Sequence, residues 1–118
     1  MISSPEELRQ RTKQFALRVI RLFRALPKAE EARVLGKQVL RSGTAVAANY
    51  RSACRARSRA DFISKIGITV EEADETAFWL ELLIDAGIVR RGRLEKLQAE
   101  ANELVRIFAA SRTTAKGR

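Results

Sequence analysis

The sequence predicts an all-α protein that folds as an antiparallel up-down-up-down four-helix bundle. Apolar residues recur every three or four positions in four successive segments, which is the period of a helix buried on one face. No segment alternates apolar and polar residues with period two, as a half-buried strand would. Short connections at Pro27, Ser58 and Gly87 separate the segments, and such connections place successive helices antiparallel.

The first two helices have recognisable ends. Ser4 followed by Pro5 and two glutamates is typical of a helix start, because the serine caps and the acids meet the positive end of the dipole. Pro27 ends this helix near position 26. The second helix is predicted from 29 or 30 to 56 or 57.

The third and fourth helices follow from similar signals. Ser58 and Asp61 form a capping box at the start of the third helix, and Gly87 ends it. The fourth helix is predicted to end near 110, so that one bundle domain spans residues 1–110. We expect the polar, basic segment 111–118 to be a disordered tail.

The composition limits the chemistry that the chain can perform. It has 118 residues with 23 Lys and Arg against 14 Asp and Glu, a net charge of +9, which favours polyanionic partners. It has no His, and Cys54 is its single cysteine, so a metal site of His and Cys ligands and imidazole catalysis are excluded. We expect no metal, no cofactor and no enzyme activity, with Cys54 acting as a small buried apolar residue.

Cations and core residues occupy opposite sides of the second helix. The cations at this spacing are Lys37, Arg41, Arg51, Arg55 and Arg59. They would span roughly 33 Å of helix, enough to follow several phosphates of RNA or DNA. The alternatives are a solvated surface, or pairing with the acids of the third helix.

The third helix is acidic, and its acids from Glu71 on are Glu71, Glu72, Asp74, Glu75, Glu81 and Asp85. The first four of these carboxylates do not converge on one face of the helix. A catalytic or metal-binding carboxylate pair is therefore not predicted, and we expect salt bridges to neighbouring helices or subunits instead.

The third helix is also apolar on the side away from its core residues. Ile68, Phe78, Trp79 and Leu82 cannot all face the same core as Leu80. We interpret these four residues as an oligomer interface, because exposed aromatic patches mark interaction surfaces. The alternative is that they pack inside the monomer.

Asn49 is a polar residue beside the core side of the second helix. A mid-helix asparagine is unfavourable unless its amide is hydrogen-bonded. We expect a hydrogen bond to Tyr50 or to an acid of the third helix, with direct ligand contact as the alternative.

No apolar run approaches the roughly 18–20 residues that span a bilayer, and the first eleven residues are too polar for a signal peptide. We therefore expect a cytoplasmic protein without membrane contact.

Two segments, SGTAVAANYRSACRARSRADFISK and EEADETAFWLELL, resemble the bacterial four-helix-bundle proteins encoded in intervening sequences of 23S ribosomal RNA genes, some of which are labelled S23 ribosomal proteins. The order of features also matches. Gln38 lies in the second helix, a small-residue run precedes Asn49, Ser58 and Asp61 start the next helix, and an acidic helix follows. The resemblance covers residues 15–108.

The resemblance implies a bundle that assembles into a ring, typically a homopentamer, with a basic surface. A similar accessory protein of diversity-generating retroelements is understood to bind nucleic acid and a reverse transcriptase. No catalytic residues are implied. Arg51 and Ser52 stand where many members have an acid and a glycine, which makes this surface more basic.

The resulting hypothesis is a non-enzymatic homo-oligomeric bundle that binds RNA or DNA through phosphates. The alternative is a scaffold that docks a protein partner such as a reverse transcriptase, with the charge serving assembly.

Overall fold

The computed structural model describes residues 3–117, which form four helices joined by short connections. The helices are α1 (Pro5–Ala25), α2 (Glu30–Cys54), α3 (Arg59–Asp85) and α4 (Arg91–Lys116). Each helix packs against the next one along the chain, and α1 also contacts α4. This last contact closes the bundle and is the smallest of the four helix–helix contacts. Residues 3–117 contain no strand. The predicted all-α four-helix bundle is therefore confirmed.

Serine caps start two of the helices, as predicted. At α1, the Ser4 hydroxyl accepts the backbone N–H of Glu7 at 3.1 Å, and the Ser4 N–H donates to the Glu7 carboxylate at 2.7 Å. This hydrogen bond lowers the pKa of Glu7 because it favours the ionised form. At α3, the Ser58 hydroxyl accepts the N–H of Asp61 at 3.0 Å. Each cap supplies a partner for a backbone donor that the helix itself leaves free.

The last helix is longer than predicted. Residues 111–116 belong to α4, so the expectation of a disordered tail is wrong for them, while Arg118 lies outside the described residues. The end of α4 is bound to the start of α3. Arg59 donates from Nε to the carbonyl of Ala115 at 2.7 Å and from Nη2 to that of Lys116 at 3.3 Å. These terminal carbonyls have no partner within the helix, so the hydrogen bonds from Arg59 stabilise the polar end of α4.

The core lies along the bundle axis and receives side chains from every helix. Its largest fully buried apolar residues are Phe15, Val19, Val39, Val46, Ile66, Leu80, Leu83, Leu104 and Phe108. The rings of Tyr50 and Phe108 pack with centroids 4.8 Å apart, which links α2 to α4. The side of α2 opposite the cations is buried, from Val39 through Tyr50 to Ala53. The burial of these residues matters for function because it fixes which side of α2 faces solvent.

A buried pair of hydroxyl groups joins α2 to α3. The Oγ1 of Thr76 lies 2.7 Å from the Oγ of Ser42, and it also lies 2.7 Å from the carbonyl of Glu72. Both side chains are fully buried. The sequence pattern missed Thr76 because threonine is neutral in an apolar periodicity, yet each hydroxyl here has a partner, as burial requires.

We expect Thr76→Val to lower the free energy of unfolding by about 1–2 kcal/mol, because the Ser42 hydroxyl would lose its close partner. It would retain only a 3.4 Å contact with the carbonyl of Val39. Chemical denaturation of both single variants and of Ser42→Ala/Thr76→Val measures the effect. The double variant should cost less than the sum of the single ones, and strict additivity would show that the hydroxyls are not coupled.

Candidate nucleic-acid interface

A groove runs along the outside of the α1–α2 pair and contains cations from both helices. Its volume is about 750 Å³. The groove is lined by Arg9, Gln10, Lys13, Thr44, Ala47, Ala48, Arg51, Cys54 and Arg55. Four of these residues are cations and none is an acid. We call this surface the α1–α2 groove.

Helical spacing explains how the cations are arranged. Arg9 and Lys13 are four residues apart on α1, so they project from one side of that helix. Arg51 lies in the last turn of α2, and Arg55, the residue that follows the end of this helix, lines the same groove. Between them the lining is made of small residues such as Ala48, which leave the groove open. The result is two short rows of positive charge on either side of a shallow floor.

The groove cations are exposed, and no described acidic residue pairs with them. In the part of the chain from 3 to 117, none of Arg9, Lys13, Arg51 and Arg55 forms an ion pair, since the salt bridges there involve other residues. All four side chains are exposed. Their charge is therefore available to an external anion, and an arginine fork matches the oxygens of a phosphate.

Arg41 is placed differently from the groove cations. It donates from Nη2 to Glu75 at 2.9 Å and from Nη1 to Glu72 at 3.3 Å, both on α3. The hydrogen bond with Glu72 raises the pKa of Arg41 further above its ordinary value. For Arg41, the structure therefore agrees with the alternative expectation, pairing with acids of the third helix. These acids largely compensate its charge.

The other two predicted cations also lie outside the groove. Arg59 is the first residue of α3 rather than part of the α2 row, and it caps the end of α4. Lys37 is exposed on α2 but does not line the groove. The structure thus brings Arg51 and Arg55 together and separates them from Lys37, Arg41 and Arg59.

Sequence reasoning missed the contribution of Arg9 and Lys13 to this surface. The signal available was the composition of the first helix, which has six cations and no acid between Leu8 and Pro27. That pattern shows a basic helix but does not show which of its sides borders α2. The core residues Phe15 and Val19 fix the rotation of α1, and the rotation places Arg9 and Lys13 at the groove.

Beneath the cations the groove floor is neutral. Cys54 is free and half-buried in the lining. Burial, helped by the Cys54 thiol, raises the pKa of the neighbouring Tyr50, so the phenol stays protonated at physiological pH.

Asn49 donates its amide to the carbonyl of Ala45 at 2.9 Å, one turn earlier in α2. The expected partners, Tyr50 or an acid of α3, were wrong, because a bond within the helix satisfies the amide without tertiary contact.

The predicted oligomer residues form the outer surface of α3. Phe78 is 49% exposed and Ile68 is 40% exposed, whereas Trp79 and Leu82 are half-buried. The rings of Phe78 and Trp79 lie 5.2 Å apart, and Trp79 also packs against the core. Trp79 therefore packs partly inside the monomer, which was the alternative expectation. Phe78 and Ile68 present apolar surface to solvent.

Other kinds of site have no structural counterpart in the described residues. No three His, Cys, Asp or Glu side chains between positions 3 and 117 are grouped so that they could hold a metal ion. No helix among these residues is long and apolar enough to cross a membrane.

Comparison with known proteins agrees with this architecture. The sequence profile described as 23S rRNA-intervening sequence protein matches residues 6–110. The fold is also that of a protein of unknown function from the S23 ribosomal protein family of Bacteroides thetaiotaomicron VPI-5482, seen in a crystal structure, with a TM-score of 0.86. The two sequences are 36% identical over 92% of this chain and 97% of that chain. No curated protein is significantly similar in sequence. The chain, as its sequence motifs predicted, belongs to the 23S rRNA-intervening sequence protein family.

Proposed function

We propose that this protein is a non-enzymatic, homo-oligomeric helical bundle that binds RNA or DNA through the phosphate backbone. The observation that carries the proposal is the α1–α2 groove, where four exposed cations from two helices lie together without a carboxylate among them. Cations that neutralise phosphates release the counterions condensed on the nucleic acid, and this release drives most sequence-independent binding.

The chemistry of the groove favours the backbone over the bases. Among residues 3–117, the lining includes no aromatic side chain on which a base could stack. Tyr50 is buried in the core, so it offers no stacking platform at the surface. Arginine and lysine contacts to phosphates position a protein on nucleic acid but carry little sequence information. Binding is therefore expected to tolerate changes of sequence.

The test is fluorescence anisotropy with labelled RNA and labelled duplex DNA across a salt series, on protein whose mass is defined by light scattering. For four phosphate contacts per groove, the logarithm of the association constant should fall with the logarithm of salt concentration with a slope of about 3.6 on duplex DNA. Absence of binding to both nucleic acids at low salt would refute the proposal.

The proposal of a homo-oligomer is based on the outer surface of α3. Phe78→Asp is expected to lower the mass measured by light scattering, because a carboxylate would replace apolar surface that a second copy covers. Since Phe78 is about half exposed in the monomer, the helical circular dichroism signal should be retained. An unchanged mass would contradict the assignment of this surface to assembly.

A scaffold that docks a protein partner, such as a reverse transcriptase, is the second candidate function. The exposed apolar residues Ile68 and Phe78 favour it, because such a patch can bind another protein. Binding of this kind would depend on shape and would tolerate salt better than phosphate contacts do.

A further inference from the structure

A second open surface lies between α1 and α4, where the bundle is least tightly closed. It is a cleft of about 740 Å³ formed by the end of α1, the connection before α4 and the start of α4. We call it the α1–α4 cleft. Its cations are Arg18, Arg21, Arg90, Arg93 and Lys96, and its apolar lining is Leu22, Leu26, Ile88, Val89, Leu94 and Leu97.

The cleft differs from the α1–α2 groove in its bulky aliphatic lining. No acid lines it, and within residues 3–117 none of its five cations forms an ion pair. The aliphatic residues offer nothing for a nucleic-acid base to stack on. A surface with a positive rim and an apolar floor fits a helix that is acidic and apolar on the same side.

The outer surface of α3 has this complementary chemistry. α3 carries two cations and seven acids, a net charge of −5 in a protein whose total is +9. Exposed Ile68 and Phe78 lie on the same side of the helix as Glu71. Asp74, one turn before Phe78, is exposed as well.

We propose that the outer surface of α3 of one protomer docks into the α1–α4 cleft of a second copy, a contact that rests on the homo-oligomer proposed above. Ile68 and Phe78 would cover the apolar floor, and Glu71 and Asp74 would meet the arginines of the rim. Pairing of α3 with α3 is unfavourable because it would bring two acidic helices together, even though Arg41 of α2 offsets part of the charge of each.

The two docking surfaces are different, so the contact is heterologous. A dimer joined by one such contact still has a free cleft on one protomer and a free α3 surface on the other, and further copies therefore add until a ring closes or a filament grows. The α1–α2 groove lies on the other side of α1, around Arg9 and Lys13 rather than Arg18 and Arg21. Assembly through the cleft therefore leaves the groove cations available for phosphate.

Complementary charge reversal tests the contact. The cleft variant Arg90→Glu/Arg93→Glu and the α3 variant Glu71→Lys/Asp74→Lys are each expected to fall to a lower mass by light scattering at a concentration where the wild type is oligomeric. An equimolar mixture is expected to regain higher mass, because glutamates in one cleft then face lysines on the other copy's α3. The groove variant Arg9→Glu/Arg51→Glu is the matched control and should keep the wild-type mass.

The remaining outcomes separate a failure of this contact from a failure of the homo-oligomer proposal. If the wild type is a monomer, both the homo-oligomer and this contact are refuted. If the wild type is oligomeric but the cleft variant keeps its mass, or the mixture does not recover, only this contact is refuted. A second measurement avoids charge changes on a whole surface. In a Cys54→Ser background, oxidation of a mixture of Asp74→Cys and Arg93→Cys proteins should give a crosslinked dimer, and failure to crosslink within an intact oligomer would overturn the contact.

Discussion

Replacing Arg51 and Arg55 with alanine is expected to weaken binding to RNA and DNA and to lower the salt slope by about 1.8 on duplex DNA, since each lost phosphate contact removes about 0.9. Extending the substitution to Arg9 and Lys13 should lower the slope by about 3.6. If affinities are equal at 1 M salt, that change in slope corresponds to a loss of affinity of about four thousandfold at 0.1 M salt. Anisotropy titrations across a salt series measure both quantities.

The matched control removes two positive charges elsewhere on the bundle. Arg91→Ala/Arg106→Ala changes two cations of α4 that do not line the α1–α2 groove, and Arg106 is already paired with Glu103. This control should leave the slope nearly unchanged because neither residue lies at the groove. If it lowered the slope as much as the Arg51 and Arg55 substitutions, the binding would depend on net charge rather than on the groove.

Gly43→Leu is expected to destabilise the protein by about 3 kcal/mol or more, because α1 passes directly over this position of α2. A Cβ built on Gly43 would lie 2.7 Å from Cγ2 and 2.9 Å from Cγ1 of Val19. Val19 is fully buried and β-branched, so it has little freedom to move aside. Thermal and chemical denaturation followed by circular dichroism measure the loss, which should exceed the helix-propensity gain of about 1 kcal/mol.

Gly67→Leu provides the same substitution in α3 without the same neighbour. The nearest atom to a Cβ at Gly67 is Nη1 of Arg112, 3.4 Å away at the end of a flexible side chain. We expect a change within about 1 kcal/mol, with stabilisation favoured by helix propensity. Equal destabilisation by both substitutions would show that Gly43 is not a special point of close packing. Because the same approach of α1 and α2 sets the shape of the groove, Gly43→Leu should also weaken nucleic-acid binding.

The fold could be predicted from local signals because these signals agree with one another. The caps at Ser4 and Ser58 and the turn at Gly87, where φ is +74°, mark helix ends that the structure shares. The end of α4 could not be predicted in this way. Residues 111–116 are mostly polar, and the last carbonyls of this helix bind Arg59, which is more than fifty positions away in sequence.

The candidate site was predictable only as far as one helix could be considered by itself. Arg51 and Arg55 lie close in sequence at the end of α2 and line the same groove. Their neighbour Arg9 comes from another helix, and its position depends on the rotation of α1 about its own axis. The partners of Arg41 depend likewise on how α3 packs against α2. Spacing therefore shows which cations share a helix side, and packing decides which of those cations remain unpaired.

Cys54 allows a direct test of whether the α1–α2 groove holds the phosphate backbone. It is the single cysteine of the chain and lies in the groove lining, so its rate of reaction with a thiol reagent reports on what covers the groove. Saturating RNA or duplex DNA at low salt should slow modification of Cys54, and high salt should restore the rate. In a Cys54→Ser/Arg106→Cys control the rate should not change. If anisotropy shows bound nucleic acid while Cys54 reacts at its free rate, the groove is not the binding site.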